Sequence, residues 1–299
     1  MKIGLIDVDG HKGFPNLALM KIASYHKSKG DSVEWWNGFL HYDKVYASKV
    51  FTFSPDIEQV INADEVEFGG TGYKNYGSLS PEVEAMPPDY TMYPHFKQAI
   101  GFLTRGCIRS CPWCIVPKKE GEIRPAATWQ EIKRLDSREI VFLDNNVLAS
   151  DYGLQQIEEM GREKVWVDFN QGLDARLITK ETAELLARLR WIRFVRVSCD
   201  TAEMLPVIEQ AVAYMKEAGI AKSRFWSYML VQDVEEAEKR ALALDAMGVT
   251  PFAQPYRDYD GGEPTQEQKH FAVWVNKKSV FHSCRWSEYD NKKCHGHNK

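Results

Sequence analysis

Nowhere do eighteen apolar residues run together, so no segment of the chain would span a bilayer as a helix. The opening Met1-Lys2-Ile3-Gly4-Leu5-Ile6 meets Asp7 and Asp9 before it is long enough for the core of a secretory signal. Cysteine is scarce as well. There are six, at positions 107, 111, 114, 199, 284 and 294, three clustered and three scattered, which is no disulfide framework for a small secreted domain. Nor is there a surplus of positive charge: the net charge is −4, which excludes a global basic field for coating nucleic acid and leaves room only for a local groove. These absences lead us to expect a cytoplasmic protein without a membrane partner, in a reducing compartment. What remains is an ordinary globular composition, 44% hydrophobic and 27% charged, on 299 residues, enough for two domains or one large barrel.

The chemistry gathers in Thr104-Arg105-Gly106-Cys107-Ile108-Arg109-Ser110-Cys111-Pro112-Trp113-Cys114. Three cysteines stand there at C-x₃-C-x₂-C spacing, directly after the apolar run Ala99–Leu103. Thiolates are soft ligands that suit zinc or an iron–sulfur cluster, and three of them on a cubane leave one iron open. Three unrelated core cysteines are the plain alternative.

Before that loop the pattern is strand, loop, helix, strand. Residues 3–8 read as a strand, Leu17 to Lys29 as an amphipathic helix ended by Gly30, and Ser32–Trp36 as a second strand. A third strand falls around Lys44–Ser48, a short helix over Ile57–Ile61, and a fourth strand at Glu65–Phe68 before Gly69-Gly70-Thr71-Gly72. This predicts a small doubly wound α/β domain over residues 1–75, with ligand positions at the strands' carboxyl ends, Asp9–Asn16 and Gly69–Tyr73. Residues 76–98, with Pro81, Pro87, Pro88 and Pro94, read as a linker, in which the tyrosines are half-buried anchors.

From Ala99 a βα rhythm repeats to about residue 260. Strands are expected at Ala99–Leu103, Glu139–Leu143, Lys164–Val167, Ile192–Val197, Phe225–Leu230 and Val249–Ala253. Helices are expected near Thr128, where Thr128-Trp129-Gln130-Glu131 forms a capping-box pattern, and over Tyr152–Met160, Lys180–Arg190, Ala202–Ala218 and Val234–Met247. Such alternation indicates parallel βαβ units, two short of a closed eightfold barrel, with chemistry at the strands' carboxyl ends. Those ends carry Asp144-Asn145-Asn146, then Asp168 through Arg176 with Asp174, and then Ser198-Cys199-Asp200. Any of these polar residues would also serve simply to cap the next helix. Residues 261–299 read as a helical cap, Gln266–Lys277, and a polar tail.

The cysteine spacing, with Trp113 in the aromatic slot, resembles the signature of the radical S-adenosylmethionine (SAM) superfamily, and six βα repeats resemble its (βα)₆ partial TIM barrel. The resemblance implies a [4Fe–4S] cluster on Cys107, Cys111 and Cys114. SAM would chelate the open iron, and one electron would split it into methionine and a 5′-deoxyadenosyl radical. It further implies SAM contacts from Trp113, Asp144, Asn145, Asn146, Asp174, Arg176, Ser198 and Asp200. Arg176 would serve as a fork for the SAM carboxylate or equally as an ion-pair partner of Asp174. An electron donor of the flavodoxin or ferredoxin type is implied too. The substrate is left open among small molecules, peptides and nucleic acid.

The first domain resembles the cobalamin-binding type that precedes the barrel in many of these enzymes. Its loop residues His11, Gly70 and Gly72 are candidates to hold cobalamin or substrate, although Gly13 follows His11 one residue sooner than the D-x-H-x-x-G pattern has it. Methyl transfer assisted by cobalamin therefore stays among the reactions considered. A methylthiotransferase is disfavoured, because neither a second three-cysteine site nor an RNA-binding tail is present. The competing class is not an enzyme: a Cys₃ zinc site or an electron-transfer cluster bracing a barrel. The basic residues Arg105, Arg109, Lys118, Lys119 and Arg124 around the loop read mainly as a solvated face. Cys284, Cys294, His295 and His297 match no second metal site by spacing.

Overall fold

Parallel strands and the helices that cover them form two units in the computed structural model, which describes residues 1–10, 13–258 and 262–290. Met1–Gly101 with Arg134–Ser137 make the first unit, and the remainder makes the second. The α/β class expected from the sequence is therefore present. Among the described residues no helix is long and apolar enough to cross a membrane.

The first unit is a four-stranded parallel sheet of β1 (Lys2–Asp7), β2 (Ser32–Trp35), β3 (Tyr42–Ser48) and β4 (Ala63–Gly69), in the order β2-β1-β3-β4. Ile3 and Leu5 of β1 and Val45 and Ala47 of β3 are buried with Leu19, Met20, Ile22 and Ala23 of α1 (Leu17–Ser28). Asn16 caps α1 by accepting the Leu19 N–H, and its Nδ2 donates to Ser48 Oγ at the exit of β3. The helix expected over Ile57–Ile61 does not form. Asp56, placed to cap it, instead receives the ammonium of the buried Lys49 at 2.7 Å, and the β-branched residues that follow run as irregular chain.

The stretch 76–98, expected as a linker, belongs to the first unit. It carries one helical turn, α2 (Pro81–Glu84), and ends at β5 (Ala99–Gly101). Tyr93 is 1% exposed, sets its ring edge-on to Trp35 and donates its hydroxyl to Asp7. Asp89 binds Lys27, and its backbone N–H reaches the Met20 carbonyl. The tyrosines anchor this segment as expected; the proline spacing hid how completely it packs.

In the second unit a two-residue hairpin, β6 (Thr104–Arg105) against β7 (Arg124–Pro125), brackets the cysteine loop and its helical turn α3 (Val116–Lys119). One further turn, α4 (Trp129–Ile132), has the predicted Thr128–Glu131 capping box. Then βα units alternate: β8 (Glu139–Phe142), α5 (Asp151–Glu163), β9 (Trp166–Phe169), α6 (Lys180–Arg188), β10 (Arg190–Trp191), β11 (Val195–Ser198), α7 (Met204–Glu217), β12 (Phe225–Val231), α8 (Val234–Met247) and β13 (Thr250–Pro255). All the strand pairs from β8 to β13 are parallel. A bridge from Leu173 to Val197 joins the β9 exit to β11. Strand β12 alternates buried and half-buried residues, as a sheet with helices on one face requires.

Two strands depart from expectation. The strand expected from Lys164 begins at Trp166, because Lys164 takes a left-handed conformation (φ 53°) to close α5. The strand expected over Ile192–Val197 forms only from Val195, as β11, with the separate β10 before it; the carbonyls of Trp191 and Arg193 accept from the Arg224 guanidinium. Beyond β13, α9 (Gln266–Asn276) and α10 (Lys278–Phe281) follow. The Asn276 amide bonds both the N–H and the C=O of Ala253, so it imitates a neighbouring strand and seals an open edge.

Candidate functional site

The cysteine loop is held shut at its neck. The Cys107 N–H reaches the Gly121 carbonyl at 3.2 Å. Arg105 makes a two-pronged ion pair with Glu120, at 2.7 and 2.8 Å, while its guanidinium covers the Phe102 ring. Gly106 sits at φ 86°, and a Cβ there would lie 2.2 Å from the Glu122 carbonyl oxygen, so only glycine makes this turn. Within the loop the Cys114 N–H bonds the Cys111 carbonyl, folding the last two cysteines back toward each other.

Beneath the loop lies Asp144, 2% exposed. Its Oδ2 accepts the Leu103 N–H, and its Oδ1 accepts both the N–H and the hydroxyl of the fully buried Thr104. Burial pushes its carboxyl up to about 6 against the pull of these three donors. Expected among ligand contacts, Asp144 has both oxygens engaged by the chain and acts as a staple that aims the loop. Asn145 beside it is half-buried.

Asn146 turns the other way, to the thiols. Its Nδ2 donates to Cys107 Sγ at 3.4 Å and to Asp174 Oδ2 at 3.3 Å. The same sulfur receives the Arg109 N–H at 3.3 Å. Asn146 Oδ1 is buried and has no donor.

Asp174 caps the short turn Ala175–Leu177 after β9 and binds Arg109 at 3.0 Å and Arg176 at 2.6 Å. Burial would raise its carboxyl, but the two guanidinium groups outweigh that and hold it below the usual carboxylate range. Asp174 in turn keeps Arg176 firmly charged, with the Cys111 thiol also beside it. The sequence left two roles open for Arg176; the ion pair with Asp174 is formed.

Asp200 arrives from the exit of β11. Its Oδ1 accepts the Leu230 N–H, Trp113 hydrogen-bonds it, and the charges of Arg240 and Arg176 act on it from nearby. Burial pushes its carboxyl up, and those groups pull the other way. The exits of β11 and β12 are tied by Arg240, which is 1% exposed and donates to the carbonyls of Cys199 and Leu230. Ser198 lies beside Gly172, a residue at φ 90° whose Cβ position would be 3.5 Å from the serine oxygen. Cys114 remains open at its surface, although crowding pushes its thiol up: burial acts first, opposed by a Val116 backbone hydrogen bond, and Cys111 and Cys107 add to it.

Cys107, Cys111, Cys114, Trp113, Asn146, Asp174, Arg176 and Asp200 are thus joined by contacts, with Ser198 one neighbour away. Cys199 is buried apart from them, its thiol pushed up to about 12 by burial. The thiols do not converge on a ready-made ion site: among the described residues no three His, Cys, Asp or Glu side chains are so arranged. The donor chemistry nevertheless fits a thiolate-bound cluster, with soft sulfurs from one loop, N–H groups aimed at Cys107, and two guanidinium groups to balance negative charge.

Three residues of the site had little signal in the sequence. Arg109 was grouped with a solvated basic face, yet of that group it alone pairs with Asp174; Arg105 and Arg124 turn to Glu120. Thr104 and Arg240 carried no motif. Arg240 falls among small apolar positions of α8, and that mismatch was the one available hint.

The loop candidates of the first unit behave differently. At Gly70 (φ 98°) a Cβ would meet the Lys49 carbonyl oxygen at 2.4 Å, and at Gly72 it would meet Lys49 Cγ at 2.4 Å. Asp9 also clamps the crevice between the β1 and β3 exits, accepting from Val50, Phe51 and Ser54. His11, Cys294, His295 and His297 lie outside the described residues. Gly70 and Gly72 are therefore close contacts of the chain with its own Lys49.

Neither a scan of protein-family models nor a search of curated proteins gives a significant match to this chain.

Proposed function

We propose that the chain is a radical SAM enzyme with a (βα)₆ partial barrel over residues 99–260, counting the short strand Ala99–Gly101 before the cysteine loop as the first. Its first unit, with strand order 2-1-3-4, is read as a Rossmann-like domain of the cobalamin-binding type that works without corrinoid. One observation carries the reading. Three cysteines at C-x₃-C-x₂-C spacing share a loop at the carboxyl side of parallel strands, and polar residues from three other strand exits, Asn146, Asp174 with Arg176, and Asp200, gather on it. Carboxyl ends are where parallel α/β proteins place their chemistry.

Cys107, Cys111 and Cys114 would hold a [4Fe–4S] cluster which, with SAM, supplies one-electron reductive cleavage and a carbon radical for hydrogen abstraction. The chain's own part is to bind and orient. Asn146 Oδ1 is a buried acceptor with no donor, suited to the ammonium of an amino acid. Arg176, partly exposed and already charged, offers its remaining N–H groups to a carboxylate. Asp200 and Ser198 are acceptors for ribose hydroxyls. A small flavodoxin- or ferredoxin-type protein is the electron donor that such chemistry calls for.

The test is anaerobic. Wild-type protein is loaded with iron and sulfide, reduced with dithionite and given SAM, and 5′-deoxyadenosine is measured by mass spectrometry. Wild type is expected to form it, and Cys111→Ala to take up little iron and form none. A protein that binds one colourless zinc and no iron would be the structural-metal alternative. A brown protein that never cleaves SAM would be an electron carrier.

A further inference from the structure

Asn146 is 2% exposed, and its amide has one allowed orientation. Two acceptors, Cys107 Sγ and Asp174 Oδ2, face Nδ2. Exchanging N and O would set a carbonyl oxygen against a carboxylate and a sulfur, leaving the donor of the group unused. Asp174 is itself fixed by Arg109 and Arg176, so the amide cannot swing away to a better partner. Water does not compete at this depth, and the N–H acts on the sulfur at the strength of a buried hydrogen bond.

We infer that Asn146 is a positioning residue that sets the reduction potential of the metal centre through Cys107. This rests on the reading that the three cysteines carry an iron–sulfur cluster. Hydrogen bonds to cysteine sulfur are among the levers that fix such potentials. When the centre gains an electron, negative charge builds on its thiolates. A donor on Cys107 Sγ stabilises that reduced form and raises the potential. The Arg109 backbone N–H does the same on that sulfur and survives any side-chain substitution, which makes Asn146 the adjustable half of the pair.

The experiment is an anaerobic redox titration of the iron- and sulfide-loaded full chain, followed by electron paramagnetic resonance, on wild type, Asn146→Leu and Asn146→Asp. Leucine removes the donor at similar volume. Aspartate keeps the shape and turns an acceptor toward the sulfur. Both variants are expected to hold four irons per chain and to need a more reducing solution. At a fixed potential the ratio of reduced to oxidised centre should fall roughly tenfold in Asn146→Leu, a shift of about 59 mV for a one-electron couple, and further in Asn146→Asp. A residue that only packs would leave the midpoint where it is. Unchanged midpoints in fully loaded variants overturn the proposal, and so does loss of the cluster in both, which would make Asn146 a structural support. If wild type itself takes up no iron and sulfide, it is the cluster reading that has failed, a distinct result.

Discussion

Each unit has a glycine-bearing loop directly after a strand, β4 of the parallel sheet in the first and β6 of the antiparallel hairpin in the second, and the two loops come to opposite ends. After β4, Gly70 and Gly72 let the chain fold down onto Lys49 so closely that a Cβ at either would clash. After β6, Gly106 lets the chain turn out and away, and the loop it launches collects thiols, guanidinium groups and an amide oxygen with no donor. Both glycines next to the strands have positive φ, so backbone freedom does not distinguish the loops. Nor does what stands over the Cβ position, a backbone carbonyl oxygen in both, of Lys49 at Gly70 and of Glu122 at Gly106; the loops differ in what their polar groups do. In the first unit the neighbouring polar groups are taken up with one another: Asp9 by Val50, Phe51 and Ser54, Lys49 by Asp56, and Asn16 by Ser48. In the second unit the polar groups point to a shared centre.

The largest effect that would break this comparison is at Gly70. Alanine there must adopt φ 98° and place its methyl 2.4 Å from a backbone oxygen. We expect a destabilisation of about 3–4 kcal/mol, read as a lower urea midpoint. A neutral Gly70→Ala would mean that the loop is free to move aside.

Next is Asp144. Its folded-state carboxyl, near 6, lies above its unfolded value, so the folded chain holds a proton that the unfolded chain has released between about pH 4 and pH 6. The stability from this group is therefore fully present below that window and is lost as pH rises through 6. The amide in Asp144→Asn cannot titrate. Wild type should lose stability relative to Asp144→Asn from pH 4 to pH 7, by up to about 3 kcal/mol, in urea titrations across that range. Parallel curves would show that the three donors hold Asp144 ionised throughout and that the staple is a plain carboxylate.

The smallest effect belongs to the neck of the cysteine loop. Glu120→Gln keeps the shape of the pair with Arg105 but removes its charge, at about 1 kcal/mol. If the pair only closes the loop, iron uptake should be slower while the final iron content stays the same. A lower final content would place Glu120 in the site itself.

Much of the architecture was legible from periodicity. Helix α8 and the capping box at Thr128 follow the sequence pattern closely, because caps and apolar spacing are local signals. The failures share a cause. The missing helix at Ile57–Ile61, the late strand start after Arg193 and the packed segment 76–98 each involve a partner outside the segment: Lys49, Arg224, and the α1–β1 core. The same division runs through the site. Cysteine spacing is a property of one loop and could be read directly, whereas Asp144 and Asn146, two residues apart, could not be told apart until the fold turned one toward the backbone and the other toward a sulfur.

The sequence by itself determined the α/β alternation, the three-cysteine loop and the polar strand ends, because hydrophobic period, turn chemistry and ligand spacing act over a few residues. Only the tertiary structure decided which polar residue serves the site, which glycines are close contacts, and which arginine pairs within the site. Each of those depends on what long-range packing sets within about 3.5 Å of an atom, the reach of a hydrogen bond.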